Sequence, residues 1–178
     1  MRSRDTAEFT AAALLVSLTA ILAQIQIPLP LIPISLTTLG VCLCGALLPP
    51  RSAFFAMLAY ALLGAVGVPV FSGFLAGPSV LFGPTGGFIL SFPLCAAAIG
   101  ALTQRFGLSR RALLAAMSAG TLLCYIVGTA WFMSVSGTGL SESLTVCVLP
   151  FLPGDAVKVA LAAWLVRRLI RAMHIVQR

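Results

Sequence analysis

Long apolar runs separated by short, punctuated breaks set the pattern of this chain. Six stretches read as helices: 9–27, 34–48, 52–68, 85–104, 112–135 and 144–171, the last interrupted near 150–153. Proline and glycine make the breaks, in "PLPLIP", "PPR", "RFGLSRR" and "SGTGLSE". Between the third and fourth runs, "PVFSGFLAGPSVLFGP" (69–84) holds too many prolines and glycines to continue a helix, yet it stays apolar. A bilayer core needs ~20 apolar residues per spanning helix. The pattern therefore predicts an all-α integral membrane protein, one membrane domain over 1–178 with six transmembrane helices and no room for a soluble catalytic domain.

Composition supports that class. The chain is 60% hydrophobic and 8% charged, with a mean hydropathy of +1.10, too little polar surface to cover a soluble domain. The first apolar run is too long for a cleavable signal peptide, and no cleavage-like site follows it. The formal charge of +7 is resolved by its distribution. With six helices, Arg2, Arg4, Arg51, Arg105, Arg110, Arg111, Arg167, Arg168, Arg171 and Arg178 all fall on one side, at the termini and in the 2–3 and 4–5 turns. The other three connections carry no Lys or Arg. The positive-inside rule then puts both termini in the cytoplasm. The arginines meet lipid headgroups, and no nucleic-acid partner is expected.

The charges that do not fit this scheme mark the candidate site. Lys158 is the only lysine, and Asp155 is the one acid placed within a membrane segment, in "PFLPGDAVK" between the apolar "SLTVCVL" and "VALAAWLV". Each intramembrane charge costs ~2.5–3.5 kcal/mol on insertion scales and ordinarily faces a cavity or a partner. Pro153 suits a first helical turn. From there to Arg171 is 19 residues, about 28 Å of helix, so the pair lies in the first two turns, toward the outer side. Residues three apart share a helix face, so a structural ion pair is the bland alternative. An apolar pair would be cheaper in lipid, which favours a ligand site.

A second motif, "LFGPTGGFIL" (81–90), opens the fourth helix. Its glycines admit close approach, and bare N–H groups at a helix start suit an anion. No Gly-Lys-Ser/Thr follows, so it is no nucleotide loop, and tight helix packing is the alternative. The five cysteines read as small apolar fillers, and the single histidine, His174, lies in a basic tail. Neither metal binding nor histidine catalysis is expected.

Taken together, "VPVFSG…GPSVLFGPTGGF" (68–88) and "PFLPGDAVK" resemble the BioY family, substrate-capture subunits (S components) of energy-coupling-factor (ECF) biotin transporters. The resemblance covers nearly the whole chain. It implies an S-component-type fold in the bacterial cytoplasmic membrane and high-affinity biotin uptake. It also implies a transmembrane coupling subunit and two ATPase subunits as partners. Gly83, Pro84, Thr85, Gly86 and Gly87 match the loop motif; Pro150, Phe151, Gly154, Asp155 and Lys158 match the second. Phe88 stands where many relatives have Tyr, which removes one hydroxyl.

Biotin's chemistry fits these residues. Its ureido ring offers two N–H donors and a carbonyl acceptor, matching an Asp that only accepts and a Lys that only donates. Its carboxylate suits the N–H groups of Thr85–Gly87, although Lys158 facing the carboxylate is the opposite assignment. Phe71, Phe74, Leu75 and Phe82 would cover the rings, and the resemblance implies Phe151 as a further substrate contact. In the first helix, Ala7/Ala11 and Ala13/Ser17 repeat at four-residue spacing. Small residues permit close helix contact; the resemblance implies docking of the coupling subunit there, with ordinary internal packing as the alternative. No catalytic residue and no cofactor beyond the ligand is expected. An intramembrane aspartyl protease, suggested by "PGD", would need a second carboxylate that the other helices lack. An S component for another vitamin is the closest rival.

Overall fold

The computed structural model describes residues 3–27 and 32–176, with side chains over 6–27 and 32–170. The placements expected for Arg2, Pro28, Pro30 and Arg178, and for the side chains of Arg4, Asp5, Arg171 and His174, lie outside these. In chain order the elements are α1 (Ser3–Gln24), a strand pair β1 (Gln26–Ile27) and β2 (Ile34–Ser35), α2 (Thr37–Leu47) and α3 (Pro50–Ala65). A single 3₁₀ turn at Ser72–Phe74 follows, then α4 (Pro78–Phe82), α5 (Gly86–Phe106), α6 (Arg110–Ser136), α7 (Leu140–Cys147) and α8 (Leu152–Val176).

Local chemistry sets the helix ends. Pro50 and Pro78 open α3 and α4 in the first turn, where a missing N–H is harmless. Ser109 caps α6, its Oγ accepting from the Ala112 amide at 3.2 Å. Gly137, with φ +67°, closes the same helix in the left-handed conformation. α1 stops at Gln24, short of residue 27. There the chain turns into β1, antiparallel to β2 with Gln26 opposite Ser35 and Ile27 opposite Ile34. α2 consequently starts at Thr37 rather than near residue 34. A short apolar run reads alike as helix or strand, so hydropathy alone placed both boundaries inside the hairpin.

Three helices, α1, α5 and α6, are long and apolar enough to cross a membrane, and α7 with α8 forms a fourth candidate, bent by 49°. α2 and α3 are shorter, 11 and 16 residues, or ~16 and ~24 Å of helix. α2 is the central helix: nine of its residues, from Thr37 to Ala46, are buried. Irregular backbone at membrane depth persists where it lines a cavity rather than lipid. From the β1–β2 pair, Gln26 and Ser35 line a cavity.

The outside of the bundle is apolar, as a lipid-solvated surface requires: Leu14, Ile126 and Val157 are each at least 60% exposed. Inside, one cluster gathers Met57, Tyr60, Phe71 and Phe92 from α3, the following loop and α5. A second joins Leu43, Leu113, Met117 and Val166 across α2, α6 and α8. A third, with Ile32, Phe132, Cys147 and Phe151, closes the end where α7 meets α8. α5 and α6 approach through glycine: a Cβ on Gly120 would meet Ile99 at 2.5 Å, and one on Gly128 would meet the Phe88 ring at 2.4 Å.

Candidate ligand site

Asp155 and Lys158 lie on the first two turns of α8, one face, three residues apart. Lys158 Nζ donates to Asp155 Oδ1 at 2.7 Å, and both residues are buried, 6% and 3% exposed. Two further residues complete the cluster. Thr38, on α2, donates from Oγ1 to Asp155 Oδ1 at 3.1 Å and accepts from Lys158 Nζ at 3.3 Å. Tyr125, on α6, donates its phenolic hydroxyl to Asp155 Oδ2. Three helices thus meet at one carboxylate. Neither Thr38 nor Tyr125 was marked by sequence, since a lone Thr or Tyr on an apolar helix carries no signal. Tyr125 lies 30 positions from Asp155 and Thr38 lies 117.

The cluster opens onto space. A pocket of about 70 Å³ reaches Asp155 and Lys158 between Tyr125, Phe151 and Cys124. Above it a larger cavity of about 510 Å³ runs out beneath the 69–85 segment, lined there by Phe71, Leu75, Ser79, Gly83, Pro84 and Thr85. Ile32, Pro33, Ser35, Thr37, Phe88 and Phe92 line both, so the two are one cleft with a wide apolar mouth and a narrow charged floor. The volume suits a small organic ligand.

The roof is fastened on three sides. Tyr60 donates to the Val70 carbonyl at 2.9 Å. Gln24, at the end of α1, donates from Nε2 to the Phe71 carbonyl at 3.2 Å and accepts the Phe74 amide on Oε1 at 2.8 Å. Trp131, on α6, donates from Nε1 to the Gly83 carbonyl at 3.0 Å. Phe71 is buried and seats its ring on Gly64, where a Cβ would meet Cζ at 2.0 Å, while Phe74 and Phe82 are exposed. Of the four apolar residues expected over the ligand, Phe71 and Leu75 therefore line the cleft and the other two face outward.

The loop glycines divide. Gly83 and Thr85 line the mouth, whereas Gly86 and Gly87 are buried in helix contacts. The Gly86 amide donates to the Gly83 carbonyl at 3.0 Å, so it is not bare as the motif suggested. A Cβ on Gly86 would lie 1.7 Å from the Leu81 carbonyl oxygen, and one on Gly87 2.1 Å from Cβ of Trp131. These two glycines hold the α4–α5 turn and the α5–α6 contact. Phe151 is buried beside the ion pair.

Remote from this cleft, α1 and α3 flank a groove of about 730 Å³ lined by Ala12, Ala13, Ser17, Ala56 and Ala59. Ala13 and Ser17 face it, Ala7 is exposed, and Ala11 is half-buried against the core.

A family model described as the BioY family matches residues 1–175. A probable biotin transporter BioY of Pyrococcus horikoshii is 37% identical over 91% of this chain and 95% of its own length. The biotin transporter BioY2 of Lactococcus lactis is 34% identical over 97% and 95%. Among solved structures, the S component for biotin from an ECF-type ABC transporter superposes with a TM-score of 0.88 at 27% identity, covering 96% of this chain and 95% of that one.

Proposed function

The chain belongs to the BioY family, and from that premise we propose that it is the biotin-capturing S component of an ECF transporter. The single observation that carries the reading is the Asp155–Lys158 pair exposed to a cleft at its floor. A buried ion pair with no other purpose is readily replaced by apolar packing; one that borders a cavity is placed for a ligand.

The geometry supports the ureido ring at the floor. Asp155 offers carboxylate lone pairs to two N–H donors, Lys158 donates to the ureido carbonyl, and Phe88, Phe92 and Phe151 enclose the apolar rings. The acyl chain then runs out through the wide mouth, and its carboxylate lies near Ser79, Gly83 and Thr85. Phe71 and Leu75 cover it. Calorimetric titration with biotin and with biocytin, its carboxyl amide with lysine, tests this assignment. Binding of both within about tenfold, a ~1.4 kcal/mol difference, supports the floor site for the ureido ring. Loss of biocytin binding with biotin binding intact reverses the orientation and puts the carboxylate on Lys158.

The chain contributes capture, not catalysis; the energy for release comes from a transmembrane coupling subunit and two ATPase subunits. The α1–α3 groove, with Ala13 and Ser17 on its wall, is where the coupling subunit docks. Six crossings, with both termini in the cytoplasm, follow from the arginine segregation; α2 crosses together with the β1–β2 hairpin that extends it.

A further inference from the structure

Arg110 at the start of α6 and Arg167 and Arg168 near the end of α8 line one groove of about 240 Å³. Its floor is apolar and small: Leu114 from α6, with Ala160 and Ala163 from α8. Trp164 forms the rim, and the Arg168 guanidinium lies 5.1 Å from its ring centroid, a cation–π contact that fixes the side chain at the groove edge. Among the described residues the one ion pair is Asp155–Lys158, so none of their carboxylates neutralises these three guanidiniums.

We propose that this groove is a binding site for one anionic phospholipid, its phosphate held by Arg110, Arg167 and Arg168 and an acyl chain laid along Ala160 and Leu114. Guanidinium pairs are matched to the oxygens of a phosphate, lipid-borne or free. Three observations favour the lipid. The groove floor below them is apolar, which a free anion would not use. Beyond the floor, Val157 and Leu161 on the same helix are exposed and continue the surface into the hydrocarbon layer. Trp164, one turn before Arg168, is exposed, and such rings collect at the headgroup level. The alanines are as necessary as the arginines: larger side chains at 160 and 163 would fill the groove. Among the described residues, Arg105 lies over Phe106 and Arg51 borders the α1–α3 groove, both away from this groove.

The test is native mass spectrometry of the full chain released from micelles holding equal phosphatidylglycerol and phosphatidylcholine. The wild type is expected to carry one phosphatidylglycerol in preference to phosphatidylcholine. The triple variant R110Q/R167Q/R168Q should lose this preference by roughly a hundredfold, taking about fivefold per arginine near an anionic surface, while R51Q/R105Q keeps it. Ala160→Phe fills the groove without changing charge and should lose the bound lipid as well. Biotin titration of each variant verifies that it is folded. Excess inorganic phosphate should leave the lipid in place. Retention of the preference in Ala160→Phe, displacement by phosphate, or equal retention of both lipids by the wild type overturns the proposal. So does a triple variant that keeps the lipid but no longer assembles with the ATPase module, which would assign the arginines to a protein partner.

Discussion

Tyr125 donates its hydroxyl to the one carboxylate oxygen of Asp155 that Lys158 does not engage. The phenol on α6 thereby fixes the rotation of a carboxylate on α8, and with it the direction in which Asp155 presents its lone pairs to the cleft. Tyr125→Phe keeps the ring and its packing but releases that oxygen. A hydrogen bond to a charged group is worth ~1.5–3 kcal/mol, so biotin affinity should fall roughly tenfold to a hundredfold in calorimetric titration. Unchanged affinity would show that Lys158 and Thr38 orient the carboxylate without help.

Removal of either member of the pair leaves the other buried and unmatched. Asp155→Ala and Lys158→Ala should each weaken biotin binding by ~2–5 kcal/mol. The double variant Asp155→Leu with Lys158→Met separates binding from architecture. Its thermal midpoint should equal or exceed that of the wild type, because a buried ion pair is often replaceable by apolar packing, yet it should not bind biotin. Tight binding by the double variant would reduce the pair to a structural staple.

Gly86 and Gly87 should give a different outcome from Thr85. Gly87→Leu and Gly86→Val force a side chain into Trp131 and the Leu81 carbonyl, so both should lower the thermal midpoint before they touch affinity. Thr85→Ala, at the mouth, should leave the midpoint within the ±0.5 kcal/mol range of ordinary surface changes while weakening biotin. Midpoints and affinities measured side by side decide; a stable Gly86→Val with weak binding would return Gly86 to the site.

Gln24 joins α1 to the roof of the cleft through both faces of its amide. Gln24→Leu removes both hydrogen bonds to the roof, each worth ~0.5–1.5 kcal/mol, and should raise the biotin dissociation rate roughly tenfold, with a smaller change in association. Pulse-chase release of labelled biotin reads it directly. An unchanged release rate would mean that Tyr60 and Trp131 hold the roof alone.

The six-crossing topology is tested by thiol labelling. The native cysteines are buried, so introduced ones report against a quiet background. Leu108→Cys, in the α5–α6 turn, should react only after the membrane is permeabilised, and Gly139→Cys, before α7, should react in intact cells. Reaction of Leu108→Cys from outside would overturn the arrangement.

How much of this was legible in the chain depends on what hydropathy encodes. It records which segments are apolar, and that was enough to place the class, the long apolar runs and the break before α8, though not the short α4 inside 69–84. It also singled out Asp155 and Lys158, because charges in an apolar run are conspicuous and their three-residue spacing puts them on one face. Sequence could not say that Thr38 and Tyr125 join them, that Gln24 holds the roof, or that Gly83 lines the cleft while Gly86 and Gly87 serve packing. In water a helix advertises its inner face by its polar outer one. In lipid both faces are apolar, so the rotation of α2 and α6 about their axes leaves no mark in the pattern. Only the packing of close-fitting surfaces decides it, as where the Phe88 ring occupies the space of a Gly128 Cβ, and that packing turns Thr38 and Tyr125 toward the same carboxylate.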